Sequence, residues 1–475
     1  MPNKRQIYML DPQTLPPETI AVTFAKTSRF PQSFREIAAE LTDEKSAEFH
    51  EKWVVGYGHS SIAEHAVLHI AFENISRLAV ETLESNRLAS YTEKSTRYQK
   101  WDAEDFYHPA ELEGNSLNKL YLKACQHLFE SYHQALPLLE KQASKQFPRL
   151  SEESPSAYER RIRSMTIDCC RFLLPASALA NVGVTINARA LEHAIQKMLS
   201  SPLSEVREIG MDVKQVAREE VPTLVKYANA VPYLQQAGQL LSNTLANLKI
   251  PDNQNEDWCR LLSYDQEAEN KIFAAALYKY SGISYSQAIA MVKEFTPEQR
   301  QSLAKLILGE LERYDIPLRE LEYSSYTFDL ILDQGAYCEL KRHRMMTQTA
   351  QSLTPELGYA IPKLFTNAGI ENEYRKAMDT ARQAYRQIAE INPFVASYVI
   401  PNAYNRRVLI SCNLRSLEHF INLRSTPNTH FSMRRVAQRI ADQIQDVTPL
   451  LGNFIRKCKD ETWQGIEAGY FSQTQ

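Results

Sequence analysis

The residues best equipped for chemistry are arginines and histidines in two short groups. Arg342-His343-Arg344 form one, with Thr347, Ser352 and Thr354 following. Asn413, Arg415, His419, Asn422 and Arg424 form the other, spaced along one helix and preceded by Arg406 and Arg407. Guanidinium groups grip phosphate through paired, charge-assisted hydrogen bonds, each contributing roughly 1.5–3 kcal/mol. Converging arginines of this kind would suit a phosphorylated ligand or a flavin dinucleotide. The competing reading is an ordinary solvated helix face, paired with carboxylates. His59, Glu64 and His65 are metal-ligand types, but they lack HExxH spacing and a third ligand. A hydrogen-bond network at the start of a strand suits them better, so no metal site is expected.

The same groups occur twice, and this duplication is the strongest signal in the chain. Pro175 is followed by Asn187, Arg189, Leu191, Glu192 and His193; Pro401 is followed at the same intervals by Asn413, Arg415, Leu417, Glu418 and His419. Upstream, Arg87, Ser90 and Ser95 match the frame of Arg344, Thr347 and Ser352. Each frame needs an element to hold it. Leu68, Ile70 and Phe72 alternate as a half-buried strand, and Ser76 can cap the helix that follows. Tyr326, Phe328, Leu330 and Leu332 alternate likewise, with Asp333 as the cap. The expected fold is therefore α/β (α+β): a first copy over residues 1–250, a polar junction, and a second copy over 258–475. Extra sequence at about 110–165 of the first copy has helical spacing at Leu120, Cys125, Leu128 and Tyr132, and reads as helices packed on the outside.

Bulk properties fit this picture. The 475 residues exceed one ordinary core and suit two domains. The net charge of −3 gives no global reason to expect nucleic acid or a membrane surface. No secretory signal or membrane-length apolar run is evident, and seven cysteines without a CxxC pair read as reduced thiols of a cytoplasmic protein. Glycine is scarce and GxGxxG and Walker motifs are lacking, so side chains must hold any nucleotide.

These segments resemble the flavin-dependent thymidylate synthases. That family carries an RHRxxSxxxxSxR signature, an upstream HxxPxEH-like segment and downstream NxRSLxxFxNLR segments. His59-Ser60-Ser61-Ile62-Ala63-Glu64-His65 is similar to the upstream segment without its proline. Arg87, Ser90, Glu93, Ser95, Arg97 and Tyr98 give most of the signature in the first copy. Arg342-His343-Arg344 gives its opening in the second, where Asn413-Leu414-Arg415-Ser416-Leu417 and Phe420-Ile421-Asn422-Leu423-Arg424 give the downstream segments.

The resemblance implies a homotetramer with FAD and dUMP bound between subunits, and methylene transfer from methylenetetrahydrofolate to dUMP using NADPH. For this chain it implies a homodimer that mimics the tetramer. It assigns Arg424 to the catalytic role at the nucleotide ring, and Glu93, Ser95, Arg97, Arg342 and Arg407 to the substrate. His59, Ser61, Arg87, His343, Arg344, Asn413, Arg415, His419 and Asn422 fall to the flavin. Each copy departs from the pattern. Ser85-Asn86 replaces the opening Arg-His, and Met198 and Asn181 stand where the second copy has Arg424 and Arg407. Thr354 and Ala350 replace the arginine and glutamate at the end of the signature, and the HxxPxEH segment aligns with residues 314–320. Three outcomes are open: complementary half-sites that form a thymidylate synthase, a flavoprotein acting on another nucleotide-like substrate, or a non-catalytic member.

Overall fold

The computed structural model describes residues 6, 8–27, 30–56, 60–97, 99–246, 248, 257–312 and 314–472. The chain divides into two compact units. The first holds residues 1–94, 107–115 and 178–251; the second holds 95–106, 116–177 and 252–475. The boundary between units is therefore not the boundary between copies, because two segments of the first copy belong to the second unit.

In the first unit β1 (Val67–Ser76), β2 (Ala89–Glu93) and β3 (Leu179–Asn187) form an antiparallel sheet of order β1-β3-β2. In the second, β4 (Cys259–Tyr264), β5 (Tyr326–Asp333), β6 (Thr347–Ala350) and β7 (Asn405–Cys412) form a sheet of order β4-β5-β7-β6. The alternation expected from sequence is present: Tyr326, Phe328, Leu330 and Leu332 are all fully buried. Register fixes the equivalence of the copies. Glu93 pairs with Val182 in one sheet, and Ala350 pairs with Val408 in the other, which sets Arg87 on Arg344 and Asn187 on Asn413. The first copy carries one additional residue in its leading strand. The register shifts between Phe72 and Ile75, where Asn74 adopts a positive φ of 57°, a conformation that Asn tolerates better than most residues.

Equivalent polar contacts recur inside each unit. The Ser76 and Asp333 side chains cap their helices at the Ala79 and Ala336 amides. Asn187 and Asn413 cap the helices Ala188–Leu199 and Leu414–Arg424. Glu18 accepts hydrogen bonds from the Thr223 and Leu224 amides, as Glu269 does from Leu450 and Leu451. Glu64 pairs with Arg189, and Glu322 pairs with Arg415 at 2.8 Å. This last match corrects the sequence alignment: the counterpart of the His59–His65 segment ends at Tyr323, not at Glu320. Arg415 is a structural partner of Glu322 and of the Pro317 carbonyl, which it meets at 3.1 Å.

The helices read as an outer addition are instead part of a core. The helix Ser116–Gln146 buries Tyr121, Cys125, Leu128, Phe129, Tyr132 and Leu139 completely. Its main partner in the second unit is the helix Glu371–Ala389. Apolar spacing showed that one face must be covered, not that the cover would come from the other copy. Nearby, the backbones around Pro175 and Pro401 exchange hydrogen bonds reciprocally. The Ala176 amide donates to Ile400 at 2.9 Å and Asn402 to Leu174 at 3.0 Å. Ser177 donates to Tyr398 at 2.9 Å and Ala403 to Phe172 at 3.0 Å. The matching offsets from the two prolines are those of a local twofold within one chain.

Candidate functional site

The second unit gathers charged residues from both copies. Asp333 stops the strand and starts the short helix Gln334–Leu340, which ends in the turn carrying Arg342, His343 and Arg344. The helix Leu414–Arg424 brings Arg424 to that turn, where its Nε donates to His343 Nε2 at 2.9 Å. His343 must then carry its proton on Nδ1. Its ring is buried, edge-on to Phe420 at 4.9 Å and beside His419 at 5.8 Å. Burial first, then the positive charges of Arg424, His419 and Arg342, push its pKa down to about 3. His343 is thus a neutral imidazole across the physiological range.

Glu339 accepts from Arg424 Nη1 at 3.4 Å and from Arg171 Nη2 at 3.3 Å. Arg171, from the first copy, is only 4% exposed. This chain of polar contacts, Arg171 to Glu339 to Arg424 to the neutral His343, holds Arg424 in place. Arg97, also from the first copy, is clamped by Asp168 through two bonds of 2.7 and 2.8 Å and donates to the Asn428 carbonyl at 2.7 Å. Its own amide donates to Ser95 Oγ at 3.2 Å. The guanidinium of Arg424 has its pKa lowered by burial above all; Glu339 opposes that shift, and the like charges of Arg342 and Arg97 add to it. An arrangement of this kind favours an anion between the cations.

Other sequence-selected residues lie elsewhere. Arg407 on β7 is bound to Asp329 at 2.9 Å, while its neighbour Arg406 faces the core and meets Gln334 and the Gln351 carbonyl. Glu93 belongs to the first unit, where its carboxylate meets Arg77 at 2.8 Å with both side chains nearly buried. Ser61 and Arg87 are exposed residues of that unit, and His59 lies outside the described residues. Arg342 and His419 are exposed, and Arg344 and Asn422 are half-buried. Arg171, Asp168, Glu339 and Gln348 were missed by sequence reasoning. Only Glu339, near the end of the helix that leads into Arg342-His343-Arg344, carried a usable signal. Among the described residues no cluster of potential metal ligands is present, and no helix is long and apolar enough to cross a membrane.

The family model for the thymidylate synthase complementing protein matches residues 10–223 and again 260–450. The chain belongs to this family, and it is a tandem duplication of two diverged copies. Among its relatives is a UPF0159 protein of Chlamydia muridarum, 32% identical over 88% of this chain and 82% of the relative. A UPF0159 protein of Thermoplasma acidophilum is 30% identical over 88% of this chain and 90% of its own length. The flavin-dependent thymidylate synthase of Thermococcus onnurineus is 29% identical, spanning 46% of this chain and 82% of that enzyme. Relatives of duplicated length and of single length thus both match, as expected if one unit was copied.

Proposed function

We propose that this chain is a flavin-dependent nucleotide methylase that converts dUMP to dTMP with methylenetetrahydrofolate, NADPH and FAD, through a hybrid site. The observation that carries the reading is the positive charge of Arg97 from the first copy acting on Arg424 of the second, which bonds His343 and also feels Arg342, so that an arginine the second copy lacks is supplied by the first. In this proposal Arg424 faces the nucleotide ring and stabilises negative charge on it. Glu339 is its positioning residue. Arg97 and Arg342 attract the phosphate, with Ser95 beside Arg97; Arg407 joins them only by releasing Asp329.

The residues at the turn fit a flavin. Gln348 Nε2 donates to the Leu340 and His343 carbonyls at 3.2 and 3.0 Å, yet its buried Oε1 has no partner among the described residues. That orphan acceptor, the neutral His343 and the cations Arg342 and Arg344 match the mixed polar edge and diphosphate of FAD. Asn422 and His419 would complete the contact, and Asn413 and Arg415 hold the helix that carries them. The flavin supplies the redox chemistry when bound. The chain's part is to orient the nucleotide, exclude water and keep His343 uncharged.

The test is release of tritium from 5-tritiated dUMP by the full chain with methylenetetrahydrofolate, NADPH and FAD. Release that is lost separately in Arg97→Ala and Arg424→Ala supports the hybrid site. Flavin absorbance of the purified chain, falling in Arg344→Ala, checks the cofactor independently. No release from flavin-loaded protein favours the second reading, a flavoprotein acting on another nucleotide. The engagement of Arg407 by Asp329 and the presence of Thr354 at the signature's last position are the observations on its side.

A further inference from the structure

Three arginines follow one another on the helix Phe431–Val447, and their surroundings differ. Arg434 meets Glu461 at 2.9 Å, and Arg439 is paired with Asp257. Arg435 lies between two rings, 4.4 Å from the centre of Trp258 and 4.6 Å from that of Phe471. Its side chain is nine-tenths buried, and its Nε has no hydrogen-bond partner among the described residues. Its ion pair with Glu467 is long, at 3.9 Å. Burial is the main influence on its pKa and lowers it, as expected for a cation short of compensation.

This guanidinium opens on a cavity of about 770 Å³ that Lys363, Asn367, Trp463 and Glu467 also line. Lys363 donates to the Ala468 carbonyl at 2.6 Å and has no carboxylate partner among the described residues. Lys363 and Asn367 also border a second cavity of about 810 Å³, whose wall includes Phe431 stacked on Tyr470 at 4.9 Å. Most of the first cavity's lining lies beyond residue 450, where the match to the family model ends.

We propose that Arg435 and Lys363 form an oxyanion site, which takes the carboxylate or phosphate of a small ligand whose planar part extends toward Tyr470. An incoming oxyanion satisfies the buried guanidinium and displaces the weak internal contact to Glu467. Aromatic rings on two sides hold the guanidinium plane and leave its edge for a bidentate partner. The inference is independent of the flavin reading, because none of these residues is assigned to it.

The test is intrinsic tryptophan fluorescence of the full chain at constant ionic strength, titrated with sodium phosphate and, separately, sodium succinate. Trp258 and Trp463 border the site and report its occupancy. A saturable change with phosphate points to a phosphoryl ligand, and one with succinate to a carboxylate ligand; either supports the site. Lys363→Met, which keeps the aliphatic stem, should weaken binding about tenfold. Glu467→Gln should tighten it several-fold, a gain that a purely structural role for Arg435 would not produce. No saturable response to either anion, or equal affinities in wild type and both variants, overturns the proposal. Flavin content and tritium release do not enter the readout, so this site and the methylase reading fail separately.

Discussion

The same turn has been built in two ways within one chain. In the second copy Arg424 reaches His343, with Arg342 beside it. In the first copy those positions are Met198, Asn86 and Ser85, and Lys197 has taken over: its Nζ meets Ser85 Oγ at 2.5 Å and Asn86 Oδ1 at 3.2 Å. Even the scaffold is matched with different chemistry. Tyr91 hydroxyl donates to the Leu83 and Asn86 carbonyls, where Gln348 serves Leu340 and His343. In the first-copy turn Lys197 bonds both polar residues, and buried Met198 stands where the second copy has Arg424. The second-copy turn keeps an orphan acceptor and crowded positive charge, features that cost stability and favour a ligand. On the proposed reading, duplication released one turn from chemistry while the other kept it; Arg97 belongs to the second unit with the segment that carries it.

The sharpest way to break this comparison is to give the second turn the first turn's residue. Arg424→Met should lower turnover in the tritium-release assay by about 10²–10³-fold, the usual consequence of deleting a preorganised charge at the reacting ring. Lys197→Met, the matching removal of the cation in the first turn, should leave turnover unchanged. Equal losses would mean that the two turns are functionally equivalent.

A second test exploits an inverted pair. Ser76 Oγ donates to Glu205 Oε2 at 2.6 Å in the first unit, and Ser432 donates to Asp333 in the second, so hydroxyl and carboxylate have changed places. Ser432→Glu sets a second carboxylate against the fully buried Asp333 and should cost about 3–5 kcal/mol in urea unfolding. Adding Asp333→Ser rebuilds the first-copy arrangement and should recover most of that loss. A double variant no better than the sum of its single changes would show that the two sites are not interchangeable.

The third comparison is His343 with Asn86. The pKa of His343 is about 3 in the folded chain, below the ordinary value of 6.5. The unfolded chain therefore takes up the proton first, and the stability that the neutral ring contributes is lost as pH falls from about 6.5 toward 3. The slope is about 1.4 kcal/mol per pH unit, or roughly 2 kcal/mol between pH 6.5 and 5. His343→Asn should remove that component of acid sensitivity, measured as the change in unfolding free energy between those pH values. His430 and His50, whose pKa values burial also lowers, keep the remainder. An unchanged pH slope in the variant would show that His343 is not buried as a neutral ring.

Local signals made the frames legible. The alternating strand before Asp333, the caps at Ser76 and Asp333, and the alignment of Arg87 with Arg344 all follow from short-range rules, and the structure agrees with each. Long-range partners were not legible. Glu93 was assigned to the substrate by its place in the signature, and nothing local announced that Arg77, sixteen positions earlier, holds its carboxylate. Aligning the HxxPxEH segment with residues 314–320 follows Pro317 and passes over Glu322, the carboxylate that Arg415 on a distant helix meets. The helix Ser116–Gln146 announced a buried face without naming the surface that covers it. Arg435 gave no signal in sequence, since its meaning lies in what fails to pair with it.

The smallest expected effect tests the most symmetrical feature. Asn187 accepts from the Ala190 amide at 2.8 Å, and Asn413 accepts from the Ser416 amide at 2.9 Å. Each satisfies one of the open donors at a helix start, and Asn→Ala at such a cap costs about 1 kcal/mol. In flavin-free protein Asn187→Ala and Asn413→Ala should therefore lose equal stability, each seen as faster hydrogen exchange at its own capped amide. Flavin should separate them. A ligand that binds only the folded second turn adds stability in proportion to the logarithm of its concentration over its dissociation constant. If Asn413 orders the helix that presents Asn422 and Arg424, its loss also weakens flavin binding, and the variant gains less from added FAD than wild type does. Asn187→Ala should gain as much as wild type. Identical responses of the two variants to FAD would place the cofactor away from the Asn413 helix, and would leave the caps as the part of the duplication that neither copy has changed.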